Sequence, residues 1–201
     1  MVEFMFATPW PGLFVWVALF ISDYTMTLIC ARMYQAGAKE KLVIEGSYEI
    51  TPYFQKDIDS LKVVSPRFLL ALVFSGSLIT IAWWCFNDSE IPELYNFVLG
   101  AFISLQLVVH TRHWRNFFSF RAMLRDESIR GRIEYPRTTM LKFSSREALV
   151  FAGFFLILFI FSESWFILGG AVSCLSLALK TLAVSAQAGA AADRSICEYC
   201  A

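Results

Sequence analysis

The two histidines of this chain, His110 and His113, stand three residues apart in the run His110-Thr111-Arg112-His113-Trp114-Arg115-Asn116. On a helix, Gln106, His110, His113 and Phe117 fall at i, i+4, i+7 and i+11 and share one face. Two imidazoles at that spacing could share a metal ion. Two ligands do not close a site, however, and no acidic or cysteine residue adjoins them in the sequence. A haem held between helices would need histidines from different helices, which only a second copy of the chain could bring. We expect no resident cofactor, with a metal ion or haem at this pair as the alternative.

The arginines around the histidines suggest different chemistry. Arg112, Arg115, Arg121 and Arg125 are followed by Arg130, Arg132 and Arg137. A guanidinium is a planar fork of donors that matches phosphate oxygens. Trp114, Phe117, Phe118, Phe120 and Met123 interleave with them, which is the composition of an interfacial helix that holds anionic lipid. The same residues would also serve as topological anchors, their stems lying along apolar surface with no specific ligand. Both readings stay open.

Asp23 is expected near the middle of the first membrane span, in the stretch Phe20-Ile21-Ser22-Asp23-Tyr24-Thr25. An ionised carboxylate in lipid costs roughly 2.5 kcal/mol or more. Asp23 must therefore face protein or water, or carry a proton. Thr27 lies on its face at i+4 and Tyr24 adjoins it. One reading is an intramembrane proton, cation or substrate site. The other is a packing hydrogen bond to Ser75, Ser77 or Thr80, or to Ser173 or Ser176.

Two weaker signals complete the set. Gly169, Gly170, Ser173 and Cys174, with Ala178, give small-xxx-small spacings, and Gly76 lies between Ser75 and Ser77. Such faces allow close helix approach, within one chain or across a dimer. Cys197-Glu198-Tyr199-Cys200 supplies half a zinc site that a dimer could complete. With only Ala201 behind it, no helix N-terminus follows to activate a thiol, so we read reduced cysteines in a frayed tail. No P-loop, Rossmann fingerprint, G-x-S-x-G or H-E-x-x-H occurs, and no soluble-type catalytic centre is visible.

The elements that must position these residues are set by composition. Of 201 residues, 57% are hydrophobic and only 17% charged, against about 25% charged in soluble domains. The apolar residues gather in long runs, so lipid is the expected solvent. Net charge is zero, which gives no field for nucleic acid. Five cysteines, three of them in apolar runs, do not form a secreted disulfide framework.

We expect an all-α bundle of five transmembrane helices, at about 11–30, 67–86, 93–111, 146–162 and 164–182. Ser65-Pro66 should cap and open the second helix. Ser144-Ser145-Arg146-Glu147 reads as a capping box for the fourth. Helix three should run on to about Arg125, and the fifth helix should continue into Ala-rich sequence. Segments 31–66 and 112–145 should hold short β-prone stretches. These are Leu42-Val43-Ile44 with a return at Tyr48-Glu49-Ile50, then Arg132–Tyr135 and Thr139–Phe143. Thr51-Pro52 should open a short helix through Leu61.

Charge sets the expected orientation. Residues 31–67 hold six Lys/Arg, residues 111–146 nine, and the chain from Lys180 two, which accounts for all 17. A positive-inside arrangement places the N-terminus outside and the C-terminus in the cytoplasm. The expected location is a cell membrane, plasma or bacterial inner. The expected role is a membrane module or complex subunit, itself a homo-oligomer or part of a larger assembly. Its basic face would contact anionic lipid or a partner. An oligomeric transporter or channel using intramembrane Asp23 and a membrane-embedded metal or redox subunit using His110 and His113 are the alternatives.

Overall fold

The computed structural model describes residues 8–49, 51–87, 89, 91, 93–126 and 128–199, with side chains described to residue 188. Helix α1 (Pro9–Met33) runs on through a π-helical turn, Tyr34–Ala38, and three further helical residues, Lys39–Lys41. Gly37 adopts φ +152°, where a side chain is strained, and lets the chain swing out of the helix there. Strand β1 (Leu42–Ile44) and helix α2 (Pro52–Asp59) follow, then α3 (Pro66–Phe86) and α4 (Glu93–Arg125). Strand β2 (Ile133–Tyr135) precedes α5 (Arg137–Ser162) and α6 (Trp165–Tyr199).

Among the described residues, five helices are long and apolar enough to cross a membrane: α1 with its extension, α3, α4, α5 and α6. Their outward surfaces agree with a lipid solvent. Val73, Phe74 and Trp84 of α3 and Val150, Ile160 and Phe161 of α5 are each at least 63% exposed, and together they would form a patch untenable in water. Helix α4 is central. Helices α1 and α6 pack against it, α3 packs on α1, and α5 packs on α6.

The closest approach is between α4 and α6. A Cβ at Gly100 would collide with the carbonyl oxygen of Phe166, and one at Gly169 with that of Phe97. Gly170 sits on Ser104, and Cys174 is fully buried beside Val108 and Ala152. Gly76 makes only ordinary contact with Leu13 and Trp16 of α1. These contacts lie within one chain.

The two strands pair in parallel, Leu42 with Ile133 and Ile44 with Tyr135. They leave α1 and α4 in the same direction, so the C-terminal ends of those helices share one end of the bundle. The Lys41 ammonium locks this arrangement. It donates to the carbonyls of Met123 (2.6 Å) and Asp126 (3.1 Å), in and just past the last turn of α4. At the same end, Ser185 of α6 donates to the Thr138 carbonyl at the start of α5.

The structure departs from the sequence reading at three points. Helix α5 starts at Arg137, so Thr139–Phe143 is helical and Ser144 and Ser145 are not caps. Leu141, Ser144, Ser145, Ala148 and Ala152 form a buried face at helical spacing. That packing overrides the local β preference of the threonines. Tyr48 and Glu49 form a turn held by the Ser47 hydroxyl rather than a return strand, and Ile50 lies outside the described residues. The third departure concerns the level of Asp23. Helix α1 overshoots the 11–30 span at both ends. The neighbouring Tyr24 stacks on Phe68 (4.4 Å between centroids) and donates to the Lys62 carbonyl (2.7 Å). Asp23 therefore sits level with the first turn of α3, near the basic end, and not mid-bundle.

Candidate functional site

Asp23 on α1 faces His113 on α4. The carboxylate Oδ1 lies 2.6 Å from Nε2 of the imidazole, a short charge-assisted contact. The His113 side chain is 8% exposed and that of Asp23 22%. Thr27 completes the contact. Its hydroxyl donates to the Asp23 backbone carbonyl one turn back and lies 3.3 Å from the same His113 nitrogen. Tyr24 turns away to Lys62. Among the described residues, no hydrogen bond joins the Asp23 carboxylate to Ser75, Ser77, Thr80, Ser173 or Ser176. Ser75, Thr80, Ser173 and Ser176 all donate to carbonyls of their own helices.

His113 was singled out for its neighbour His110, not for Asp23, and the missing signal is helix rotation. The i, i+4, i+7 spacing identifies a face of α4 but not which helix it meets. His110 stays with its own helix, its Nδ1 lying 2.7 Å from the Gln106 carbonyl. That carbonyl can only accept, so Nδ1 carries the hydrogen, and in a neutral ring Nε2 is the acceptor. Nε2 of His110, Nδ1 of His113 and Oε1 of Gln106 are buried and have no hydrogen-bond partner among the described residues. The two rings stand edge to face with centroids 6.4 Å apart. Two like charges at that distance would repel by roughly 3 kcal/mol at an effective dielectric of 20. No group of three His, Cys, Asp or Glu side chains suited to a metal ion occurs among the described residues. Cys200 lies outside those residues, and the side chain of Cys197 is not described.

Beside His113 opens a cavity of about 540 Å³ at the basic end. Helix α4 contributes Arg112, His113, Arg115 and Asn116, and α5 contributes Ser144 and Glu147. Leu42 and Ile44 of β1 form part of an apolar wall with Phe120, Met123, Met140 and Phe143. The walls are amphipathic and the charges are unequal. Arg115 pairs with Glu147 at 2.8 Å. Arg112 is half-buried and donates only to the neutral Ser144 hydroxyl at 2.8 Å. It has no carboxylate partner among the described residues. Arg121 and Arg125 are exposed and do not line the cavity, so the four arginines read together from the sequence divide into two pairs. Tyr48 lines the wall and accepts from Asn116 at 3.3 Å. Desolvation among these groups pushes its phenol far above the ordinary value, so it stays neutral.

Asp57 is a supporting residue that sequence reasoning missed. It is 4% exposed and accepts from the Ser65 hydroxyl (2.6 Å) and the Lys62 ammonium (3.2 Å). The Ser65 hydroxyl in turn accepts from the Phe68 backbone N–H (3.2 Å). The Ser65 hydrogen bond, aided by Lys62, holds the Asp57 carboxyl below the usual carboxylate range. This chain fixes α2 to the start of α3, and the Tyr24 bond to Lys62 ties both to α1 beside Asp23.

No family model, no curated protein and no solved structure matches this chain.

Proposed function

We propose that this protein is an integral membrane module that holds an anionic amphiphile, a lipid with a phosphate-bearing headgroup, in the cavity at its basic end. The observation that carries this reading is Arg112, a half-buried guanidinium without a carboxylate in an amphipathic cavity. A phosphate would satisfy its remaining donors, and the apolar wall would take the first carbons of the acyl chains. The charge distribution supports a cytoplasmic position for this end, because the arginine-bearing segments meet there.

Transport through Asp23 has less support. The residue is paired and lies near the basic end. Above it, Trp16, Ile79, Tyr95, Leu99 and Ile103 form a tightly packed hydrophobic cluster between α1, α3 and α4. A path for a solute would have to part that cluster.

The test is retention of lipid on purification, read by native mass spectrometry. Wild-type protein should retain phosphatidylglycerol in preference to phosphatidylcholine. Arg112→Ala should lose that preference, while Arg125→Ala, an exposed position, should keep it. Equal retention of both lipids by the wild type, or an unchanged preference in Arg112→Ala, would overturn the reading.

A further inference from the structure

We propose that Asp23, His113, His110 and Gln106 form a proton-binding site that takes up one proton as an anionic headgroup enters the cavity; this rests on the reading of that cavity given above. His113 belongs to both places. Its Nε2 meets Asp23, and its ring lines the cavity.

With neutral imidazoles the cluster is short of donors. The Nε2 hydrogen of His113 is used on Asp23, and the Nδ1 hydrogen of His110 on the Gln106 carbonyl. Three buried acceptors are left over: His113 Nδ1, His110 Nε2 and Gln106 Oε1. Asp23 adds a carboxylate, so the cluster is also short of positive charge. A proton on His113 supplies that charge and makes an imidazolium paired with Asp23.

The other groups near His113 do not replace it. Thr27 is engaged with the Asp23 carbonyl, and the Cys30 thiol points to the His113 carbonyl at 3.8 Å. Tyr48 is held neutral, Arg115 is paired with Glu147, and the Glu49 carboxylate accepts from the Thr51 N–H. Arg112 is the remaining cation, one residue away on the same helix. With burial of the ring it disfavours the imidazolium, and an anion between the two offsets the Arg112 repulsion. Proton and anion therefore favour each other, and by linkage the coupling is reciprocal. The proton comes from bulk water through the cavity, and no bond in the ligand breaks. The edge-to-face placement of the rings limits uptake to one charge.

The experiment uses the full chain in phosphatidylcholine nanodiscs, titrated with short-chain phosphatidylglycerol, whose charge is fixed between pH 5.5 and 8. Affinity should be about tenfold tighter at pH 5.5 than at pH 8. Calorimetry in two buffers of different ionisation enthalpy should count about one proton absorbed per lipid bound near neutral pH. His113→Gln should keep residual binding through Arg112 and lose the pH dependence. Because that variant could fail to fold, wild-type histidine C2–H resonances provide a second readout and should move when lipid is added at constant pH. Lipid binding with no pH dependence and no proton uptake would overturn this proposal and leave the cavity reading standing. PH dependence that survives in folded His113→Gln would overturn its assignment to this cluster. No lipid binding at any pH would sink both.

Discussion

Truncating either partner of the Asp23–His113 pair should cost more than truncating both. Removing His113 leaves a carboxylate that is 22% exposed without its counterpart, and removing Asp23 leaves an imidazole that is 8% exposed. Interhelical hydrogen bonds between neutral groups in membrane proteins average about 0.6 kcal/mol in double-mutant cycles. Hydrogen bonds to a charged group reach about 1.5–3 kcal/mol. A 2.6 Å contact with so little water around it belongs nearer the second class, with Thr27 as a weaker third member. We expect a coupling of about 1.5–2 kcal/mol between Asp23→Ala and His113→Ala. The assay is reversible unfolding in mixed micelles with rising denaturing detergent, followed by tryptophan fluorescence, since Trp16 is 1% exposed in the native bundle. Single-variant costs that add within about 0.5 kcal/mol would show that the two groups do not interact and would refute the pairing.

In the same assay, Gly100→Ala should destabilise by about 1–3 kcal/mol, because its Cβ meets the backbone carbonyl of Phe166, which cannot swing aside. Gly153→Ala, where nothing lies within 4 Å, should be neutral or slightly stabilising. Asp57 is held below its ordinary range, so its contribution is complete above about pH 4 and is lost as pH falls through the folded-state value. Hydrogen exchange across residues 57–68 should quicken first on acidification, and Asp57→Asn should abolish that pH response. A cysteine placed at Ser89 in a Cys85→Ala background should react with a membrane-impermeant maleimide from outside intact cells. Reaction only after lysis would reverse the proposed orientation.

What could be read in the sequence was what the solvent decides. A run of about 20 apolar residues needs no partner to declare a spanning helix. Helix α3 (Pro66–Phe86) lies within one residue of the expected 67–86, and Ser65-Pro66 opens it as its chemistry requires. The short helix after Thr51 was equally local, since Pro52 suits a first turn. What could not be read depended on which faces meet. The strands are three residues each and separated by some 90 positions, so nothing local specifies their parallel pairing. The start of α5 was hidden because Thr138 and Thr139 favour strand, while the buried face from Leu141 to Ala152 is recognisable only against α6. At the site, the composition of α4 pointed to phosphate chemistry at Arg112 and Arg115, and both line the cavity. The partnership of His113 with Asp23 was not legible. The two residues lie 90 positions apart, and each had another candidate, His110 for one and helix hydroxyls for the other.

The most direct measurement is photocrosslinking from inside the cavity. A photoreactive amino acid at Phe143, on the cavity wall, should capture phosphatidylglycerol, and excess phosphatidylglycerol but not phosphatidylcholine should compete it away. The same probe at Val150, on the outward face of α5, should capture both lipids without preference. If Phe143 captures neither, or captures them as indiscriminately as Val150, no anionic lipid occupies the cavity and the account fails.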